Sequence, residues 1–364
     1  MLAPDQTVTE LSLPSLDVRA LARRAAVPAL VAGVAVAAVL IAGGRVHTVS
    51  DALHRMLALS PGWLAVAIVF ECVSLTGYVS LLSVVASRAT HRIGVRESAQ
   101  ITFAGAAATR LLPTAGAGGA ALTVWALRRA GLNSVAAARV LLSFFVLLYS
   151  IFLAAIAAAG TVLALGLAGA HGPLALSVLP AVGAILAIAS ALVLAARSPM
   201  TSATAPGKLA KVRSGARLVG GAVRDAVRLL RSRDLRVVGA AVYWLFDAAV
   251  LWAMLHAFGS PPALAVVTLA YFLGQVANTL PLPGTVSGGI AGVLIAFGVP
   301  AGLALPAVLA YRTVSVWLPT PPAIAAIPGL RATVTRWGRE DAAATPAEPQ
   351  APADQPHELQ LEAA

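Results

Sequence analysis

The sequence predicts an all-α polytopic membrane protein: an inverted-repeat helical bundle with two Pro/Gly-broken, re-entrant-like hairpins. Three observations lead there. Of the 364 residues 59% are hydrophobic and 11% charged, where a soluble globular domain carries roughly a quarter charged, so a water-soluble enzyme is excluded. Several apolar runs reach the roughly 20 residues that span the hydrocarbon layer. Two further runs are interrupted by proline and glycine in one shared pattern.

Taken in order, residues 1–25 are expected to form a disordered, cytoplasmic N-terminal stretch. Arg19, Arg23 and Arg24 precede a long apolar run with no clear small-residue cleavage site after it, so this is not a cleavable signal. Uninterrupted spans are expected at 26–44, 61–86, 135–168, 174–196 and 237–258, and a last one at 303–327. The run 99–127 is broken by Arg110, Pro113, Gly116, Gly118 and Gly119, and the run 263–298 by Pro281, Pro283, Gly284, Gly288 and Gly289. Each reads as two short helices joined by an elbow. The transmembrane domain covers 26–335, with halves of about 61–196 and 237–327 joined by a basic linker, 197–236. The stretch 340–364 holds six of the fifteen acidic residues and no Lys or Arg, and is expected to be a disordered acidic tail.

Basic residues near span ends set the orientation. The linker carries ten of them against Asp225 and Asp234, which places it in the cytoplasm; the links 169–173 and 259–262 carry none and belong outside. Counting spans from there puts Arg88, Arg92, Arg96, Arg128 and Arg129 inside. A multi-pass protein of the plasma (inner) membrane with both termini cytoplasmic is expected. The formal net charge of +11 then reads as attraction to anionic lipid, not to nucleic acid. Cys72 is the single cysteine, so neither a disulfide nor a cysteine-based metal site is expected. No His pairs with another ligand type at zinc-site spacing, and no glycine loop is followed by the Lys of a phosphate loop. No metal, no cofactor and no ATP hydrolysis are expected, and any transport would be driven by a gradient or run downhill.

The orientation makes the first broken run start and end inside, and the second start and end outside. They also share a pattern: Leu112-Pro113-x4-Gly118-Gly119-x-Ala121 beside Leu282-Pro283-x4-Gly288-Gly289-x-Ala291, with Gly131-Leu132 and Gly298-Val299 each opening a further span. Inverted repeats with broken helices build mid-membrane sites, because helix ends offer backbone dipoles to a polar guest. The competing reading is that Ala/Gly-rich helices resemble one another by composition and the small residues serve close packing.

At these residues the chain resembles the lysylphosphatidylglycerol synthase transmembrane (flippase-like) family over roughly residues 26–335. The similar stretches are Thr109-Arg110-Leu-Leu-Pro113 running through Gly118-Gly119 to Trp125 and Arg128-Arg129-Ala-Gly131, then Leu280-Pro-Leu-Pro283-Gly284 with Gly288-Gly289, Phe297-Gly298-Val299, and Tyr311-Arg312 through Trp317-Leu-Pro319. The resemblance implies a membrane domain that moves lipids or lipid-linked molecules between leaflets. No aminoacyl-transferase domain follows in this chain, so it is expected to be no enzyme and not to aminoacylate lipid. Family members often carry a Glu near the second glycine pair. Here Thr285, Val286 and Ser287 precede that pair, and no acid follows it.

Ionisable groups inside spans cost several kcal/mol unless they face protein or water, which singles out a few substrate-binding candidates. Arg110, at the first elbow, reads either as a lipid-phosphate holder through its planar donor fork or as a side chain snorkelling to the interface. Arg312, mid-span, reads as a phosphate ligand or as a structural partner of Asp247 or Glu71. Those two acids are counter-ions, proton-coupling groups or ligands for an ammonium. Gln275 and Asn278, three apart on one face with Tyr271 a turn earlier, bond a head group or glue helices together. Tyr149, Tyr243 and Tyr311 read as interfacial or packing aromatics. The stretch Lys208–Arg231 has apolar residues at helical spacing from Leu209 to Leu230 and reads as an amphipathic helix on the inner leaflet.

The function expected is translocation of a phospholipid or lipid-linked phosphate, with the anionic head group held at mid-membrane by Arg110, Arg312 and the elbows. Two alternatives stand beside it. One is a non-transporting membrane adaptor for a soluble lipid-modifying synthase, docked through the basic stretch. The other is a small-solute secondary transporter, which requires a closed central cavity.

Overall fold

The computed structural model describes residues 60–111, 117–169, 172–197, 208–277 and 284–344, apart from the side chains of 110, 111, 117 and 208–213. The expected span 26–44, the elbow residues Pro113 and Pro283, and Asn278 lie outside the described residues. All regular structure among the described residues is helical.

In chain order the α-helices are α1 Pro61–Ser87, α2 Val95–Leu111, α3 Ala117–Arg129, α4 Ser134–Ala164, α5 Leu174–Arg197, α6 Lys208–Arg231, α7 Gly239–Phe258, α8 Leu264–Val276, α9 Thr285–Ala296, α10 Ala301–Trp317 and α11 Thr320–Ala344. Helices α1, α4, α5 and α7 are long and apolar enough to cross a membrane, as is the run through α10 and α11, so the chain is an all-α polytopic membrane protein. Local chemistry sets the ends. Pro61 opens α1 where its missing N–H leaves nothing unpaired, and the Asn133 side chain accepts the Ala136 N–H at 2.8 Å to cap α4.

Ion pairs gather the basic segments at one end of the bundle. Arg92, after α1, is bonded to Asp341 near the end of α11; Glu97 at the start of α2 meets Arg336 at 3.5 Å; Arg88 lies 3.9 Å from Asp234; Arg139 early in α4 binds Asp225 of α6 at 2.6 Å. The Thr90 hydroxyl donates to the Ala130 carbonyl at 3.3 Å, so the turn leaving α3 sits beside the loop leading into α2. At the opposite end Trp63 packs edge-on against Trp252, ring centroids 5.9 Å apart, with His256 stacked on Trp63 at 4.8 Å. There too the Phe297 ring covers Gly172, and Leu303 covers Gly259. The described residues at these opposite-end contacts include no Lys or Arg.

These contacts settle the arrangement of the hairpins. The α2/α3 hairpin starts and ends at the basic end, whereas α8/α9 starts and ends at the other, so the two enter the bundle from opposite sides. Their arms have 17, 13, 13 and 12 residues, or about 18–25 Å of helix, short of a hydrocarbon layer of about 30 Å. Both are closed in the same way. A Cβ on Gly119 would lie 3.0 Å from the Gly105 carbonyl oxygen, and one on Gly289 would lie 3.1 Å from the Gly274 Cα, so the second glycine of each pair lets two backbones touch. Both also end in one capping motif. Gly131 (φ 97°) and Gly298 (φ 84°) donate to the Arg128 and Ile295 carbonyls, and the next residues, Leu132 and Val299, to Leu127 and Leu294.

The halves meet most closely where α1 crosses α7. A Cβ on Gly77 would sit 2.7 Å from the Gly239 carbonyl oxygen, and the Ser74 hydroxyl donates to the Tyr243 carbonyl at 2.9 Å. Two elements differ from expectation. The single last span, 303–327, is two helices, because Pro319 has no N–H with which to continue the ladder; α11 then runs on to Ala344, past the 340 boundary that composition gave the tail. The amphipathic α6 does not lay its small-residue face on lipid: Ala222, Val223, Ala226 and Leu229 are buried, and the helix packs on α4 and α5.

Candidate functional site

A cavity of about 670 Å³ lies between the halves, within the range of small-molecule sites. Four ionisable or amide side chains singled out from the sequence line it together: Glu71 from α1, Asp247 from α7, Gln275 from α8 and Arg312 from α10. Ten residues, about 15 Å of helix, separate Glu71 from the start of α1 at Pro61. Glu71 is 4% exposed and Asp247 7%, so both acids are held away from the surrounding medium at mid-bundle.

Tyrosines organise these groups. The Tyr271 hydroxyl donates to Asp247 Oδ2 at 2.5 Å, and Gln275 Nε2 donates to the Tyr311 hydroxyl at 3.1 Å, which ties α8 to α7 and to α10. The Arg312 guanidinium shares the cavity with both carboxylates and acts electrostatically on that of Asp247. Tyr78 packs edge-on against Phe144 at 4.9 Å and Tyr243 at 5.1 Å, and the three form much of one wall. Tyr149 lines the cavity and is 48% exposed.

The hairpins contribute unequally. The first lines the cavity with Thr109, Gly119 and Thr123, and Thr109 Oγ1 accepts the Gly119 N–H at 3.0 Å, giving the start of α3 a partner for one of its open donors. Arg110 follows Thr109 in the last turn of α2; its side chain lies outside the described set. Among the described residues of the second hairpin only Gln275 reaches the lining. Gly284 holds a left-handed turn (φ 82°) before α9, Gly289 serves packing, and Gly288 faces open space. Gly118 is buried at the start of α3 and does not line the cavity either.

Tyr149, Tyr243 and Tyr311 line the site, although residue type alone suggests packing or interface roles. Spacing held the signal. Tyr243 lies one turn before Asp247, Tyr78 two turns after Glu71, and Tyr311 beside Arg312, and residues one turn apart share a helix face. The arrangement can hold a small polar or zwitterionic group, with a guanidinium, phenol hydroxyls and an amide on one hand and two carboxylates and aromatic faces on the other. Among the described residues no three His, Cys, Asp or Glu side chains cluster as a metal site would require.

Compared with known protein families, residues 29–323 match the family described as lysylphosphatidylglycerol synthase TM region. No curated protein matches the chain.

Proposed function

Since the chain belongs to the lysylphosphatidylglycerol synthase TM region family, a membrane family linked to lipid handling, we propose that it moves a phospholipid or a lipid-linked phosphate between leaflets and catalyses no chemical step. One observation carries the reading: Arg312, Gln275, Glu71 and Asp247, drawn from both halves, share one cavity.

Moving an ionised head group through hydrocarbon costs on the order of tens of kcal/mol. A site that replaces water with fixed donors lowers that cost only where the head group passes. Arg312 supplies a fork of donors suited to phosphate, and the hydroxyls of Tyr243 and Tyr311 add neutral donors. The two carboxylates line the same cavity as the guanidinium, so a phosphate that enters beside Arg312 meets repulsion as well as attraction and can leave again. The acyl chains stay in lipid, passing out beside Tyr149. A lipid is favoured over a small soluble solute by the family's link to lipid handling, and the burial of α6 against α4 and α5 leaves less of that helix for a soluble synthase to grip. In this reading the basic end faces the cytoplasm of a plasma-membrane protein, with both termini there.

The test is leaflet exchange of head-group-labelled phosphatidylglycerol in reconstituted vesicles. Arg312→Ala is expected to bring exchange close to the protein-free rate while the purified protein keeps its unfolding midpoint within a few degrees. Exchange at the wild-type rate in that variant overturns the mechanism.

A further inference from the structure

A second cavity, of about 360 Å³, lies at the basic end between the last turn of α1, the first turns of α4 and the last turns of α6. Val85, Val140 and Leu229 give it an apolar floor, and Arg88, Arg139 and Arg228 stand around it. Asp225 lies among them: it takes Arg139 on both oxygens, at 2.6 and 3.0 Å, and Arg228 at 3.3 Å. Arg88 lies 3.9 Å from Asp234, which Arg236 already holds at 2.8 Å. Four guanidinium groups thus face two carboxylates, and the cluster keeps two positive charges.

Exposed guanidinium groups gathered around a cavity with a net positive charge attract an anion to it. The setting says what kind of anion: the cavity lies at the basic end of a membrane-spanning bundle, with apolar side chains lining it beside the guanidiniums, so a glycerophospholipid of the adjoining leaflet can set its phosphodiester there while its acyl chains stay in the membrane. The cavity is also next to the central one. Leu82 and Phe144 line the central space, and Val85 and Val140, one turn away on the same two helices, line this one.

We propose that the Arg88–Arg139–Arg228 cavity binds the phosphodiester of an anionic glycerophospholipid from the leaflet at the basic end, as a site separate from the central cavity. It does not depend on lipid translocation being correct.

The test uses the purified full chain carrying Arg312→Gln, so that the central cavity is disabled, and follows the unfolding midpoint against short-chain phosphatidylglycerol at constant ionic strength. A saturable rise is expected, since a ligand bound only by the folded state stabilises it. Adding Arg88→Gln and Arg228→Gln should weaken the apparent affinity about tenfold or more, while the Arg139–Asp225 link between α4 and α6 stays intact. Short-chain phosphatidylcholine and inorganic phosphate should give much smaller rises. Equal affinity with and without the two added substitutions overturns the proposal. So does loss of all binding on Arg312→Gln alone, which would assign the lipid to the central cavity. An equal response to inorganic phosphate marks a simple anion site, and an equal response to phosphatidylcholine removes the charge selectivity; either result also overturns it.

Discussion

The two broken hairpins share a sequence pattern, a glycine-on-glycine closure and a terminal capping motif, yet they do different work. The α2/α3 hairpin puts Thr109, Gly119 and Thr123 on the central cavity, whereas α8/α9 lends it only Gln275, its Gly289 closing on Gly274 away from the cavity lining. Their anchors differ as well. The first hairpin is tied at its mouth by ion pairs, Glu97 with Arg336 and Arg92 with Asp341; the second is seated by apolar packing, with Phe297 covering Gly172. A repeated backbone device therefore fixes how an element turns inside the bundle, and the side chains around it decide whether the turn serves a guest or only the fold.

Substitutions in the two hairpins can break this comparison. The largest effect is expected at the closures. A Cβ at Gly274 would meet the Ile290 backbone nitrogen at 2.8 Å, and one at Gly119 would meet Thr109 Oγ1 at 2.6 Å. Gly274→Ala and Gly119→Ala should each lower stability by about 1–3 kcal/mol in detergent unfolding. Per folded molecule, Gly119→Ala should impair leaflet exchange more; equal impairment would show that the hairpins contribute equally to transport.

Next in size, Thr109→Val removes the acceptor of the Gly119 N–H and should cost about 1 kcal/mol. Faster hydrogen exchange is expected at the Gly119 amide, with the α8/α9 amides unchanged. Gly288→Ala points into open space and should stay within about 0.5 kcal/mol of wild type, on the stabilising side because alanine favours helix.

The smallest effect concerns acid. Hydrogen bonds from Arg236, with its charge and that of Arg88, hold the Asp234 carboxyl below its ordinary range. The folded form is thus the stronger acid, so the link is at full strength above the ordinary carboxylate range and is lost as pH falls below that range, through the lowered folded-state value. Hydrogen exchange in residues 88–94, which lead into the first hairpin, should rise on acidification. Asp234→Asn should show that faster exchange already at neutral pH, while residues 259–263 before the second hairpin respond to neither change.

Much of this was legible from residues alone, for reasons that differ by element. Glu71, Asp247 and Arg312 stand out because charge inside an apolar run is expensive and must be answered by something, and the structure brings them to one cavity. The opposed hairpins follow from the placement of arginines in short loops. The tyrosines did not stand out, since an amphipathic ring suits an interface, a core or a site equally well. The packing of α6 was hidden because an apolar stripe has one pattern whether lipid or protein covers it. The break at Pro319 was hidden because membrane helices tolerate proline whenever neighbours satisfy the freed carbonyl.

The crossing of α1 and α7 has a reach beyond its own position. Glu71 lies six residues from Gly77 and Asp247 eight from Gly239, both toward the same end of the bundle, so the two acids ride on levers of about 9 and 12 Å pivoted at that point. The missing side chains at the pivot set the gap between the carboxylates. A single methyl group there would be felt as altered electrostatics at a distance, in a part of the protein that carries no charge of its own.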